Sequence, residues 1–296
     1  MSKYRIFIGK GGVGKSTCSS LEAVNQISKS KKVMLVSMDP AHNLHDIFET
    51  KLSKRPKKMF DNLYVSEADL PGKSKEYIKG IKNTMLNVYH YQQSLNMEKY
   101  FSILKYSPGT EEYASLLILE DCYKEKSYDS IVIDTPPTAL TLKTLALPQV
   151  NLNWINALAE MRVQIIEKKN TVARIRKDNL DKVEDDPVYI RLQSMKERYK
   201  KLNEMLSDTS ITELVLVMNE DELSLSESLL IKKQLDELHL CLGKIAINKS
   251  KGNEEWKSKI QSIFPNTPIV SVPLQDDSII GESSLKAICS NLNAEA

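Results

Sequence analysis

Short apolar runs rich in Val and Ile alternate along the chain with long stretches of helical spacing. The runs Arg5–Ile8, Lys32–Ser37, Asn62–Ser66, Ser130–Ile133, Glu213–Met218, Lys244–Ile247 and Ile269–Val272 predict strands. Most are continuous rather than alternating, the mark of strands covered on both faces. With helices between them, the expected fold is α/β: a doubly wound, mostly parallel sheet. Ligands of such sheets sit at the carboxyl ends of the strands.

Two segments fall outside the sheet pattern. Gly72–Lys126 is helical in spacing and rich in Tyr and Lys. Val150–Leu206 is charged, with Trp154, Leu158, Met161 and Ile165, then Ile190, Leu192, Met195, Leu202, Met205 and Leu206, at helical spacing. Asp185-Asp186-Pro187 divides it and predicts a helical hairpin. The expected organisation is one domain over residues 1–296, with a helical subdomain inserted at about 72–126 and 150–206. Core packing is the plainer reading of the Met and Leu positions, and a binding surface for a client the sharper one. No internal repeat or low-complexity tract stands out.

The first strand runs into Gly9-Lys10-Gly11-Gly12-Val13-Gly14-Lys15-Ser16-Thr17 and then a helical stretch. A glycine-rich turn between strand and helix aims its backbone N–H groups inward, where they can cradle phosphate oxygens. The helix that follows turns its positive end to the same place. Lys15 can reach the β- and γ-phosphates of a nucleoside triphosphate, and the Ser16 hydroxyl can hold Mg²⁺. ATP and Mg²⁺ are therefore the expected cofactors. Lys10 adds a second lysine to the loop, and its plainer reading is a solvated loop charge.

Asp39 ends the second strand in Asp39-Pro40-Ala41-His42-Asn43. A carboxylate there can position the water that attacks a γ-phosphate, although Asp-Pro also initiates ordinary turns. His42 and His45 lack partners at metal-ligand spacing and read as polar loop or helix-surface residues. Ile131-Val132-Ile133-Asp134 is an apolar strand ending in an acid, the arrangement that orients Mg²⁺ or its water beside a phosphate loop. The Pro136-Pro137 pair after it predicts a stiff loop able to sense the γ-phosphate.

Composition removes several function classes. The chain has 296 residues, 41% hydrophobic and 27% charged, and a net charge of +2. That charge makes no case for nucleic acid or an anionic membrane, and the Lys-rich stretches Lys29–Lys32 and Lys51–Lys58 read as solvated turns. No apolar run approaches the roughly 20 residues of a membrane span. The chain enters a strand at once, without the apolar leader of a secreted protein. Cys18, Cys122, Cys241 and Cys289 are scattered, with no C-x-x-C, so neither a disulfide framework nor a cysteine zinc site is expected. Cys18 reads as packing beside the loop. A cytoplasmic setting follows.

The loop with its second lysine resembles a subclass of P-loop ATPases that act as nucleotide-sandwich dimers, in which that lysine reaches the partner's ATP. The wider set is similar to the ArsA family: GKGGVGKST, DPAHN, SPGTEE at Ser107–Glu112, DTPPTALTLKTLALP at Asp134–Pro148, then Asp221–Glu227, Ile247-Asn248-Lys249 and Val272-Pro273-Leu274. That family includes arsenite-pump ATPases and the guided-entry ATPases that deliver tail-anchored proteins. The resemblance implies an ATP-hydrolysing enzyme working as a nucleotide-driven homodimer on a membrane or hydrophobic protein partner. It implies Lys10 as the cross-dimer lysine and Asp39 as the water-activating aspartate. Gly11, Gly12, Val13, Gly14, Lys15, Ser16 and Thr17 would surround the phosphates, Thr17 at the α-phosphate. Asp134 would be the Mg²⁺-linked aspartate, and Asn248 and Pro273 would flank adenine. An amide suits adenine because it both donates and accepts; Asn248 alone also reads as a turn residue after a strand.

The sequence departs from the family in places that bear on its partner. The usual D-T-A-P-T-G-H-T carries Pro136, Ala139 and Leu140 in place of Ala, Gly and His. The metalloid-site His and the cysteine near SPGTEE are both missing, and trivalent arsenic needs several thiolates together. No arsenite site is therefore expected. The chain holds one ATPase unit, whereas the arsenite enzymes are typically tandem duplications. Without C-x-x-C there is no zinc clamp, so a dimer must rest on nucleotide and other contacts. Residues 150–206 lack the Met-rich helices of a client groove. A targeting or chaperone-like factor remains one alternative. A positioning ATPase of the MinD or ParA type is another, although DPAHN and DTPPT fit it poorly and no C-terminal amphipathic membrane helix is evident.

Overall fold

The computed structural model describes residues 3–29, 31–39, 43–88, 107 and 109–294. Pro40, Ala41 and His42 of the DPAHN stretch and Pro108 of SPGTEE lie outside them, as does much of 72–126.

Eight strands form one sheet among the described residues. In chain order they are β1 (Tyr4–Ile8), β2 (Val33–Ser37), β3 (Lys57–Phe60), β4 (Leu63–Glu67), β5 (Ser130–Asp134), β6 (Thr212–Asn219), β7 (Leu242–Ser250) and β8 (Ile269–Pro273). The sheet order is β3-β4-β2-β5-β1-β6-β7-β8, parallel except where β3 pairs antiparallel with β4. The fold is α/β with a mostly parallel sheet, as the apolar runs predict. All seven expected strands are present, with ends shifted by one to three residues.

Strand β3 was not expected. It starts at the end of the lysine-rich stretch read as a turn, and its first two residues are exposed. Pairing on one side only frees it from the apolar requirement of the central strands. Those are wholly buried: every residue of β1, β2 and β5 is inside.

Helices follow the strands: α1 (Lys15–Ser28), α2 (Asn43–Ile47), α3 (Leu70–Val88), α4 (Thr110–Lys124), α5 (Thr138–Arg176), α6 (Pro187–Ser207), α7 (Glu222–Glu237), α8 (Glu254–Ile263) and α9 (Gly281–Ala294). On one face of the sheet, Cys18, Leu21 and Val24 of α1 and Leu285 and Ile288 of α9 join Leu35, Val132 and Val215 in a continuous core. On the other, Ile118 and Cys122 of α4 share a cavity wall with Met34 and Val36. Tyr77 of α3 stacks on Tyr113 of α4 with ring centroids 4.6 Å apart. An ion cluster around buried Arg5 ties α1 to the strands. Arg5 Nε lies 3.1 Å from Glu22 and 2.9 Å from Glu213, its Nη1 donates to Ser130 Oγ at 3.0 Å, and Lys244 stands 3.7–3.8 Å from the same two carboxylates.

The chain divides into two compact units, Leu145–Asp208 and the remainder. Helices α3 and α4 fall in the larger unit, which holds the sheet. The smaller unit is the hairpin that Asp185-Asp186-Pro187 predicts. Asp186 caps α6 by accepting from Tyr189 N at 2.8 Å, and Pro187 takes the first helical position, where no N–H is needed. Arg162 of α5 grips the same carboxylate with two bonds of 2.9 and 2.7 Å, drawing the Asp186 pKa down to about 2. Helix α5 begins at Thr138, well before residue 150, and runs through Pro148. The ring deletes one helical hydrogen bond there, while Asn151 Nδ2 donates to Leu147 O at 2.7 Å beside it.

The apolar residues of the hairpin do not all pack inward. Ile155, Ala159, Ile166 and Ala173 of α5 and Tyr199, Leu202 and Leu206 of α6 are buried. Trp154, Leu158, Met161 and Ile165, expected as core, face solvent, with Trp154 66% exposed. Apolar positions on α5 cover more than one face, and the interleaved set took the interior. Among the described residues, no helix is long and apolar enough to cross a membrane.

Candidate functional site

Parallel strands bring their carboxyl ends to one edge, and the chemistry-bearing residues gather there. In register, Asp134 stands opposite Phe7 of β1 on one side and Ser37 of β2 on the other. The pairing extends beyond β2, where Met38 N donates to Asp134 O at 2.8 Å, and Asp39 follows, half-buried. Asp39 N donates to Ser37 Oγ at 3.2 Å. Thr135 Oγ1 donates to Phe7 O at 2.6 Å, fastening the β5 end to the β1 end.

The glycine loop leaves β1 at Gly9 and enters α1 at Gly14. Gly9 has φ +152° and passes so close to β6 that an added Cβ would lie 2.3 Å from Val217 O. Gly14 is left-handed at φ +93°, and a Cβ there would stand 2.0 Å from Asn248 Nδ2. Only glycine meets both demands. Val13 is buried in the core beneath the loop, and its carbonyl accepts from Asn248 Nδ2 at 2.8 Å. Asn219, level with Asn248 in the β6–β7 register, reaches Val13 O at 3.2 Å and Asn248 O at 3.3 Å with its amide nitrogen turned to donate. Gly11 and Gly12 form an exposed crest with open space beside their α-carbons. No side chain caps α1, so its first N–H groups remain available to an anion.

Lys15 lies along this loop, buried, and donates to Gly9 O at 3.1 Å and Lys10 O at 3.3 Å. Burial lowers its pKa, opposed by the charges of Asp134, Asp39 and Glu227. Ser16 Oγ donates to Asp134 Oδ2 at 2.6 Å. Asp134 is fully buried, and its Oδ1 accepts no hydrogen bond. Burial is the main cause lifting its pKa to about 7, and Asp39 adds to the rise. Ser16, Lys15 and the nearby Ser37 hydroxyl hold it from rising further, Ser37 without closing a hydrogen bond of ordinary geometry to Oδ1.

A buried carboxylate oxygen without a donor, beside a serine hydroxyl at the mouth of a glycine loop, fits a divalent cation. Oxygen donors and a single carboxylate are what Mg²⁺ takes when phosphates supply further ligands. The loop crest and bare helix end fit the phosphates themselves. The cations at the loop, Lys10 and Lys15, come from one short stretch.

The structure thus brings Lys10, Gly11, Gly12, Val13, Gly14, Lys15, Ser16, Asp39, Asp134 and Asn248 to one sheet edge. Thr17 is half-buried in the first turn of α1. Pro273 ends β8 at the far side of that edge, exposed and level with Ser250. His45 sits on the surface with Nδ1 2.8 Å from Thr50 O. Sequence reasoning missed Asn219, Ser37 and Glu227. Glu227 accepts from Thr138 Oγ1 at 3.1 Å and adds charge near Lys15; its only signal was its place in the Asp221–Glu227 stretch. A cavity of about 490 Å³ lies elsewhere, between β2, β4, α3 and α4, and no residue of the glycine loop lines it.

The family model described as anion-transporting ATPase matches residues 2–294. The chain belongs to the ArsA ATPase family. It is 31% identical to "Putative arsenical pump-driving ATPase 2" of Aquifex aeolicus, over 95% of each chain. It is 28% identical to "ATPase ASNA1 homolog 2" of Paramecium tetraurelia, over 96% of this chain and 91% of that one. With "ATPase GET3A" of Arabidopsis thaliana it shares 26% identity, over 95% of this chain and 81% of the other. This ArsA-family chain is accordingly an ATPase, and its nucleotide site is sought where the glycine loop meets Asp134.

Proposed function

We propose that the chain hydrolyses ATP with Mg²⁺ at the glycine loop, as a homodimer closed by nucleotide, and couples that cycle to a protein partner in the cytoplasm. The observation that carries the reading is the Ser16–Asp134 pair, 2.6 Å apart, with Asp134 Oδ1 buried and lacking a donor at the base of the loop.

In this reading the amides from Gly11 to Thr17 hold the phosphates, with Thr17 at the α-phosphate. Lys15 trades Gly9 O and Lys10 O for β- and γ-phosphate oxygens. Ser16 and Asp134 hold the metal, which screens phosphate charge. Asp39, on the neighbouring strand end, orients the attacking water. Lys10 extends from the half-buried start of the loop toward the nucleotide of a second copy. Asn248 and Pro273 border the base. Phosphoryl transfer asks mainly for positioning and charge, and these groups supply both.

A protein partner is favoured over arsenite by the state of the thiols. Burial pushes Cys18, Cys122 and Cys289 up to about 12, so they stay neutral at physiological pH, and Cys289 donates to Leu21 O at 3.2 Å. A soft metalloid binds thiolates. Arsenite or antimonite should leave the ATPase rate unchanged; strong stimulation would revive the pump reading.

The deciding experiment is Asp39→Asn, assayed for nucleotide binding and turnover. Binding should persist while hydrolysis falls by about 10²-fold or more, as when a positioned acid–base group is lost. Unaltered turnover removes Asp39 from the chemistry.

A further inference from the structure

Helix α1 leaves a gap where it lies on the sheet. Cys18, Leu21 and Asn25, at steps of three and four residues, share one face of the helix. They border a cavity of about 220 Å³, together with Val215 of β6, Ala246 of β7 and Cys289 of α9. Apart from Asn25, these walls are buried and apolar in character. Asn25 is half-buried, and its Oδ1 is shut away from solvent without a hydrogen-bond donor among the described residues. Other polar groups of the wall are engaged. Cys289 Sγ donates to Leu21 O at 3.2 Å, and Glu22 lies 3.1 Å from Arg5 and 3.7 Å from Lys244. Burial lifts the Cys18 and Cys289 thiols to about 12, so both stay neutral. Lys29, the remaining charge, is exposed at the end of α1.

We infer that this cavity binds a small neutral aromatic molecule carrying one N–H or O–H group, of the phenol or indole class, with its ring between α1 and the sheet and its donor on Asn25 Oδ1. Size, wall and charge together choose that class. An apolar cavity of roughly 150 Å³ already takes a benzene ring, so the volume here admits one ring or a fused pair. The inner walls offer carbon and neutral sulfur, and the charges beside them are paired, so nothing calls for an ion. A buried acceptor without a donor is a standing cost to the fold, and a ligand that supplies the donor removes it. Water is a poor occupant, because it needs several polar partners and the unpaired acceptor gives it one. A plain hydrocarbon fills the space and leaves the acceptor as it was.

The cavity is separate from the proposed nucleotide site. Cys18 is its nearest member to the glycine loop in sequence, and neither Lys15, Ser16 nor Asp134 borders it. Ring and nucleotide should therefore bind together, and failure of this inference leaves the ATPase reading standing.

The test follows phenol, indole and toluene binding to the full chain by ligand-observed NMR, with and without Mg²⁺ and a non-hydrolysable ATP analogue. Burying roughly 150 Å² of ring surface corresponds to a Kd of about 1 mM. Phenol should bind within about threefold of toluene, because Asn25 replaces the water that its hydroxyl gives up. In Asn25→Leu, which keeps the shape and removes the acceptor, phenol affinity should fall about tenfold while toluene affinity holds. Ala246→Leu, which fills the cavity, should weaken all three ligands about tenfold or more, with ATP binding kept. The wild-type titrations stand without either variant. No saturable binding of phenol or indole overturns the proposal. Displacement of phenol by the ATP analogue does so too, since it places the ring in the nucleotide site. So does an Asn25→Leu protein that treats phenol and toluene as the wild type does, or loses both alike.

Discussion

Asp134→Asn should make the nucleotide-free protein more stable and the nucleotide complex less so. The carboxyl group is fully buried, and its pKa rises from 3.8 to about 7. At ~1.36 kcal/mol per pH unit, ionising it at pH 8 costs the free fold about 4 kcal/mol. An amide of the same shape avoids that cost and can still accept from Ser16. It also sets an NH₂ group where no acceptor awaits it, a loss of about 1–3 kcal/mol. The net gain at pH 8 is about 1–3 kcal/mol, or roughly 2–6 °C in Tm for a chain of this size.

The sign of the pH dependence follows from the raised pKa. The unfolded carboxyl releases its proton near 3.8, while the folded one keeps it to about 7. Wild-type stability therefore falls as pH climbs through that window and levels off above it. The advantage of the variant should shrink by up to about 1.4 kcal/mol per pH unit below 7. Thermal melts from pH 5.5 to 8.5 with EDTA measure this. Repeating them with Mg²⁺ and a non-hydrolysable ATP analogue should raise the wild-type Tm and leave the variant with little magnesium-dependent gain. A variant less stable than wild type at pH 8, or a gap that ignores pH, would refute the argument from burial.

Gly14→Ala places a methyl against Asn248 Nδ2 in a left-handed backbone. Strain and the loss of the Asn248–Val13 bond should together cost about 2–4 kcal/mol, read as a drop in chemical-denaturation midpoint and weaker nucleotide binding. Adding Asn248→Ala should recover only part of it. Arg5→Met leaves the half-buried Glu22 and Glu213 with only Lys244 as counter-charge, so a loss of about 1–3 kcal/mol is expected in urea unfolding. Lys10→Ala should spare nucleotide binding to one chain and depress turnover; full turnover at saturating ATP would count against its reach across a dimer.

The central strands were legible because burial on both faces leaves a continuous apolar run, as in Val33–Ser37 and Ser130–Asp134. The glycine loop was legible because its geometry admits few residues, which Gly9 and Gly14 show directly. Strand β3 was not, since an edge strand needs no apolar core and its lysines imitate a turn. The Asp186-Pro187 break was plain because one residue caps and the next starts a helix. The fate of Trp154 and its neighbours was hidden: helical spacing says that residues share a face, and not which face turns inward. Asn219 and Glu227 escaped notice because their roles come from strands and helices distant in sequence. Glu227 lies on α7 and meets Thr138 only once the chain has folded.

The two borders of the sheet also constrain how copies of this chain can meet. One is the four-residue β3, bearing Lys57 and Lys58, with Lys54 and Arg55 just before it. The other is β8, which closes on Pro273, a residue with no N–H to offer. Short, cationic or proline-ended margins resist the addition of another strand. Cross-β stacking is thereby discouraged at high concentration, and self-association is left to helical and loop surfaces.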